Sequence, residues 1–372
     1  MSYSDMRIAR LRERLAAEGL GALYVRNLAN LCWLTAFDGV FDGEAAHAML
    51  VTGSQAAPGA FLHTDSRYAS AMKAAARGSG IQVSASGTSH AEWLASLVRD
   101  GAAGTAAIGV EDDITLAEYR RLVEALGSQA HPVQERARLV LGLRAAKDAD
   151  EVRRLKAAQA ITDAAFSHIT GFIAPGMTER EVQIELEDFM VRHGAEGLSF
   201  PSIVATGANG ASPHAVAGAA RLEAGQVLVL DFGARAQGYC SDMTRTVGIG
   251  EPDARIRQAY EAVRQANEEV EAVLKPGMTG AEAQECAETV LAAAGFAGAM
   301  VHSLGHGVGI EVHEEPLLSK KNTEPLLEGS VVTVEPGVYF EQDFGIRLED
   351  FGIVTRDGFE VFTQSTHDMV II

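Results

Sequence analysis

Apolar positions alternate between two periods in the first part of the chain, and a longer helical period takes over after it. Residues 5–18 repeat apolar positions at helical spacing, and Gly19 and Gly21 flank the end, as glycine does where a helix stops. GALYV (21–25), AHAMLVT (46–52) and GAFLHT (59–64) read as strands. Helical patterns follow at 66–77, 89–99 and 115–126, with short strand-like runs at IQV (81–83) and AAIGV (106–110) between them. That alternation predicts an α/β unit of about 130 residues. After His131-Pro132 the pattern changes to a connector, ERARLVLGLRAAKDADE, and one long helix is expected from about Asp148 to Thr170. The expected domains are 1–135 and 136–372.

The second domain contains an internal repeat. IAPGMTEREV (173–182) recurs as LKPGMTGAEA (274–283), each time after one long helix and before another, and LEAGQVLVLDFGA (222–234) matches LLEGSVVTVEPGV (326–338). The offsets, 101 and 104 residues, keep the copies nearly in register, and Asp231 falls on Glu335. Each copy supplies a second acid, Asp242 in YCSDMTRT and Glu349 in GIRLED. Two such units sharing one sheet about a pseudo-twofold axis would send two carboxylates each to the axis. PGMT reads as a helix N-terminus, with Thr ahead of an acidic first turn.

Composition narrows the function. The formal net charge of -19 argues against nucleic acid, whose phosphates need a basic face. Cys32, Cys240 and Cys286 are too scattered for a disulfide framework or a zinc motif and point to a reducing compartment. The start of the chain reads as a charged amphipathic helix and not as a signal peptide, and no apolar run approaches the ~20 residues of a membrane span. A cytoplasmic protein with no membrane partner is expected.

The chemistry concentrates between His302 and Asp350. HSLGHGVGIEVHEEP carries His302, His306 and His313; VVTV ends on Glu335, and FGIRLE ends on Glu349. A carboxylate ending an apolar strand is costly to bury unless it is paired or bound to a metal, and carboxylates with imidazole suit Mn(II), Zn(II) or Co(II). Singly, each residue has a plain structural explanation: a turn, a cap or a loop imidazole. Together, four acids and one imidazole in repeat-related places call for two metal ions, since one would leave too much negative charge. Tyr339 reads as a core strand aromatic, and His47, His63, His90, His131, His168, His193 and His367 read as ordinary histidines.

Asp231, Asp242 in SDMTRT, His306 in GHGVG, Glu335 in EPG and Glu349 in RLED resemble the dinuclear site of the pita-bread metallopeptidases, the group of methionine aminopeptidase, aminopeptidase P and prolidase. The resemblance covers roughly 145–372. The first 130 residues resemble, more weakly, the creatinase-like amino-terminal domain of the prolidase and aminopeptidase P branch. It implies an α+β pita-bread domain behind a smaller α/β domain, and hydrolysis of Xaa-Pro bonds in dipeptides or at peptide N-termini. Asp231 would chelate one metal, His306 and Glu335 the other, with Asp242 and Glu349 bridging; the metals would be Mn(II), or alternatively Co(II) or Zn(II). It implies proton shuttling by Glu335, donation to the peptide by His313, a proline pocket flanked by His214 (in SPHAVAG) and His302, and orientation of acidic ligands by Arg347. His302 is carried as a further catalytic candidate. A homodimer is expected. The competing readings are a methionine aminopeptidase, a creatinase-like amidinohydrolase, and a non-enzymatic binding module on this scaffold.

Overall fold

The computed structural model describes residues 2–53, 59–104, 106–127 and 132–372; His131 lies outside them. The chain separates into two compact units, Met1–Arg144 and Ala145–Ile372.

In the first unit α1 (Tyr3–Ala17) starts on a capping box between Ser2 and Asp5. Strands β1 (Leu20–Val25), β2 (Ala48–Thr52), β3 (Ala60–Thr64), β4 (Ile81–Ala85), β5 (Ala107–Val110) and β6 (Val133–Glu135) form one mixed sheet in the order β4-β3-β2-β1-β5-β6. Between them run α2 (Leu28–Thr35), α3 (Ala69–Ala75), α4 (His90–Arg99) and α5 (Leu116–Leu126), and α6 (Leu139–Arg144) ends the unit. The helix expected over 66–77 shortens to α3, whose N-terminal Tyr68 provides no side-chain cap. Helix α2 escaped the pattern because LANLCWLT is buried on most sides, which erases the helical period. Helix α6 lies in the expected connector. It packs against α1 and α2, and Arg144 Nη1 donates to Asn30 Oδ1 at 2.7 Å, so the division falls after Arg144 rather than at 135/136.

The second unit is built twice over. The first copy runs α7 (Ala149–Phe172), α8 (Glu179–Arg192), β7 (Gly197–Leu198), β8 (Ile203–Thr206), the short α9 (Gly207–Gly210), β9 (Val227–Phe232), β10 (Ala234–Ala236), β11 (Tyr239–Cys240) and β12 (Met243–Gly248). The second runs α10 (Ala254–Val273), α11 (Gly280–Ala293), β13 (Gly305–Gly307), β14 (Glu314–Leu318), β15 (Val331–Val334), β16 (Gly337–Phe340), β17 (Phe344–Arg347), β18 (Asp350–Thr355) and β19 (Gly358–Val361). Both PGMT turns do as the sequence implies: Gly176 and Gly277 sit at φ 89° and 91°, and Thr178 and Thr279 cap α8 and α11 in capping boxes with Glu181 and Glu282. Each copy closes its own apolar cluster, around Leu186, Leu230 and Phe232 in one and Val263, Leu291 and Val334 in the other.

Strand order mirrors the repeat: β12-β9-β8 in one copy, β18-β15-β13 in the other. The single shared sheet expected from the sequence is not formed. Two hydrogen-bonded sheets meet at an isolated antiparallel bridge between Thr244 of β12 and Glu349, just before β18. The ladder stops there because a threonine takes over from the backbone. Thr246 Oγ1 donates to the Arg347 carbonyl (2.8 Å) and accepts from its N–H (3.2 Å). Sheets β7-β10-β11 and β16-β17 flank this seam as the matching hairpins of the two copies.

Because the two helix starts are equivalent, Thr178→Ala and Thr279→Ala should each lower stability by about 1 kcal/mol, the ordinary worth of a capping side chain. Chemical denaturation of the two variants beside the parent checks this. A loss confined to one of them would contradict equivalent caps.

Candidate active site

The chemistry gathers at the seam. β9 brings Asp231, the β11–β12 junction Asp242, β13 His306, the end of β15 Glu335, and the β17–β18 junction Glu349. All five line one cavity of about 590 Å³ together with His214, His302, His313 and Arg347. Among the described histidines no others line it.

Asp242, His306 and Glu349 each offer a ligand atom within 4.8 Å of the others. His306 Nε2 lies 3.3 Å from Glu335 Oε1 and 3.6 Å from Asp242 Oδ2. Its Nδ1–H donates to the Gly307 carbonyl at 3.1 Å, so in the neutral ring Nε2 turns a lone pair toward two carboxylates. Burial holds this imidazole down to about 4, which keeps it neutral at ordinary pH. The acids respond in the opposite sense. Burial, then the neighbouring Glu349, Asp231 and Glu335, drives the Asp242 carboxyl up. Burial, then Glu335 and Asp231, does the same to Glu349. Burial, with Asp231 beside it, pushes Glu335 to about 8. Asp231 pairs through one oxygen with the buried Arg347 guanidinium, and its other oxygen is buried without a hydrogen-bond partner among the described residues. The arrangement is short of positive charge.

Threonines orient the acids, and the sequence did not single them out. Thr244 Oγ1 donates to Glu349 Oε2 at 2.7 Å and accepts from Arg347 Nε at 3.0 Å. Thr333 Oγ1 donates to Glu335 Oε1 at 3.2 Å and accepts the His306 backbone N–H at 3.0 Å. Both face the site from strands in which Thr is an unremarkable residue. Tyr339, read as a core aromatic, holds a hydroxyl between His302 Nε2 (2.9 Å) and Arg347 Nη1 (2.7 Å), and burial pushes that phenol up to about 12. Since His302 Nδ1 donates to the Ser303 carbonyl, Nε2 accepts from Tyr339, whose oxygen in turn accepts from Arg347. Both His302 nitrogens are therefore engaged. His313 stacks edge-on against His306 with ring centroids 4.3 Å apart, and burial lowers its pKa. His367 is not the ordinary histidine expected: it joins Asp350 (2.7 Å) to Glu268 (3.2 Å), and Arg245 pairs with the same Asp350 at 2.7 Å. The Asp350 and Glu268 carboxylates raise its pKa.

Residues 153–356 match the family model of metallopeptidase family M24, and residues 7–145 that of the creatinase/prolidase N-terminal domain. An uncharacterised peptidase of Bacillus subtilis, YqhT, is 35% identical over 99% of this chain and 100% of its own. The Xaa-Pro dipeptidase of Pyrococcus furiosus is 37% identical over 62% of this chain and 67% of its own. The solved Xaa-Pro dipeptidase from Bacillus anthracis superposes with a TM-score of 0.91 at 35% identity, covering 99% of this chain and 100% of that one. The X-Pro aminopeptidase from Thermotoga maritima superposes at 0.85 with 32% identity, covering 98% and 99%.

The raised carboxyls set a pH dependence. A carboxyl whose pKa is higher folded than unfolded binds more protons in the native state, so its contribution to stability is lost as pH climbs from the unfolded to the folded value. For Glu335 that window runs from 4.5 to about 8. The chelated protein should therefore melt at progressively lower temperature from about pH 5 to 8, less steeply in Glu335→Gln, and excess Mn(II) should flatten or reverse the slope. Thermal melts in EDTA and in Mn(II) measure this; a melting temperature that rises with pH in EDTA would contradict it.

Proposed function

The chain belongs to metallopeptidase family M24, and we propose that it cleaves Xaa-Pro bonds, in dipeptides first, with two divalent metal ions held by Asp231, Asp242, His306, Glu335 and Glu349. The observation that carries this reading is the His306 Nε2 lone pair facing the carboxyl groups of Asp242 and Glu335. Once these acids ionise, that juxtaposition is unfavourable unless a cation lies among them. The unpartnered Asp231 Oδ1 fits the same need. An oxygen-rich donor set with one imidazole suits Mn(II), with Co(II) or Zn(II) as alternatives. The Xaa-Pro reading draws on the dipeptidases and aminopeptidase above, and on apolar cavity walls, Phe200, Ile203, Val216 and Leu317, that suit a pyrrolidine ring.

When bound, the metals supply Lewis acidity to the scissile carbonyl and acidify the attacking water. Glu335 takes the proton of that water and delivers it to the departing proline nitrogen. Thr333 and Thr244 keep the Glu335 and Glu349 carboxylates aimed while this happens. His313, which lines the cavity and has no hydrogen-bond partner among the described residues, donates to the carbonyl oxygen as charge grows on it. His302, tied at both nitrogens, serves as a wall of the proline pocket rather than as a proton donor. Arg347, paired with Asp231, holds that carboxylate in place and limits the uncompensated charge.

Elemental analysis of protein reconstituted with Mn(II) should find two metals per chain. Chelation should abolish turnover of Xaa-Pro dipeptides, with Xaa-Pro-Yaa tripeptides cleaved more slowly. Turnover that survives exhaustive chelation would contradict the reading.

His313→Ala should keep both metals and lose about 10²–10³ in kcat with a smaller change in KM, as expected of a donor to developing charge. Glu335→Ala should lose metal as well. Near-normal kcat in His313→Ala would remove the histidine from the mechanism.

A further inference from the structure

The repeat is broken at one position in a way that bears on the site. Where the second copy has Gly280 as the first residue of α11, the first copy has Glu179 as the first residue of α8. At Gly280 there is no room for a side chain: a Cβ would stand 2.2 Å from the Leu317 carbonyl oxygen, and Ala281 N–H donates to the Asn322 carbonyl of the incoming loop. At the matching place the first copy buries a carboxylate completely. Glu179 Oε1 accepts from Thr206 N–H (2.8 Å) and Asn209 Nδ2 (3.0 Å); Oε2 accepts from Gly218 N–H (2.8 Å) and Asn209 Nδ2 (2.9 Å). Its place in the first turn of α8 suits a negative charge.

These partners bracket one segment. Thr206 and Gly218 are its two ends, and Asn209 Nδ2 also lies 3.2 Å from the Val216 carbonyl, which accepts from it. Between them stands His214, which lines the cavity, yet no described residue hydrogen-bonds its ring. With no hydrogen bond fixing the ring, the course of its backbone decides where the imidazole stands, and Glu179 holds that backbone at both ends. We propose that Glu179 is a positioning residue for substrate: it fixes the 207–218 loop so that His214 and Val216 form one side of the pocket for the proline-containing peptide. This rests on the Xaa-Pro reading above. The carboxylate itself does not line the cavity. It is fully buried and accepts four hydrogen bonds, the kind of charge-assisted set that holds a loop in a single conformation.

The test compares Glu179→Gln, His214→Ala, the double variant and Asn209→Ala, all reconstituted with Mn(II). In Glu179→Gln, hydrogen exchange should quicken within 207–218 and stay at the parent rate in 319–325, the segment that meets Gly280 and Ala281 in the second copy. Metal content should equal that of the parent, and KM for a Xaa-Pro dipeptide should rise about tenfold with kcat changed much less. The double variant should have the KM of His214→Ala alone, because both substitutions act on one contact. If Glu179→Gln does not fold, Asn209→Ala, which keeps the carboxylate and removes one donor, should show the same pattern at smaller size. Unchanged exchange in 207–218, or KM effects that multiply in the double variant, would overturn the proposal. A parent enzyme that holds its metals but cleaves no Xaa-Pro peptide would sink the substrate reading instead, and the exchange result would still judge Glu179.

Discussion

Four carboxylates gathered in one cavity cannot all be ionised without positive charge among them, and the second unit is arranged around that constraint. Arg347 meets part of it by pairing with Asp231. His306 cannot meet the rest, because burial keeps its ring neutral and its free nitrogen turns toward the acids. What remains is the demand of an oxygen-rich site for cations, and the M24 match supplies the chemical context for that demand.

The duplicated architecture explains how so much charge comes together without unravelling the fold. Each copy completes an apolar cluster of its own, and the acids sit where the copies abut rather than inside either cluster. The seam is a single bridge, Thr244 to Glu349, with threonine hydroxyls standing in for ladder hydrogen bonds. At the bridge itself the Thr244 hydroxyl meets both the Glu349 carboxylate and the Arg347 guanidinium, so the junction of the copies also orients the site. Two departures from the repeat lie at or beside the cavity: His306, which lines it from one copy, and the buried Glu179 in the other.

Much of this was legible in the chain. The capping threonines of both PGMT turns, the apolar runs ending on Asp231 and Glu335, and the spacing of His306 and Glu349 all carry local signals that survive folding. Other features carry none. Tyr339 has the pattern of any strand aromatic, and its role depends on Arg347 and His302 arriving from other elements. Glu179 looks like a solvated first-turn acid and is instead fully buried. Helix α2 hides because burial on most sides removes the periodicity, and the split into two sheets depends on side-chain hydrogen bonds that no period encodes.

Burial and mutual repulsion favour the protonated forms of Asp242, Glu335 and Glu349, and cations that bind among them displace those protons. Calorimetric titration of Mn(II) into the chelated protein near pH 7, repeated in buffers of different ionisation enthalpy, counts the protons exchanged on binding. With Glu335 pushed to about 8 and Asp242 and Glu349 also raised, metal binding should release about one proton or more per chain. Binding with no release of protons would show that the acids were already ionised and compensated, and would contradict the account.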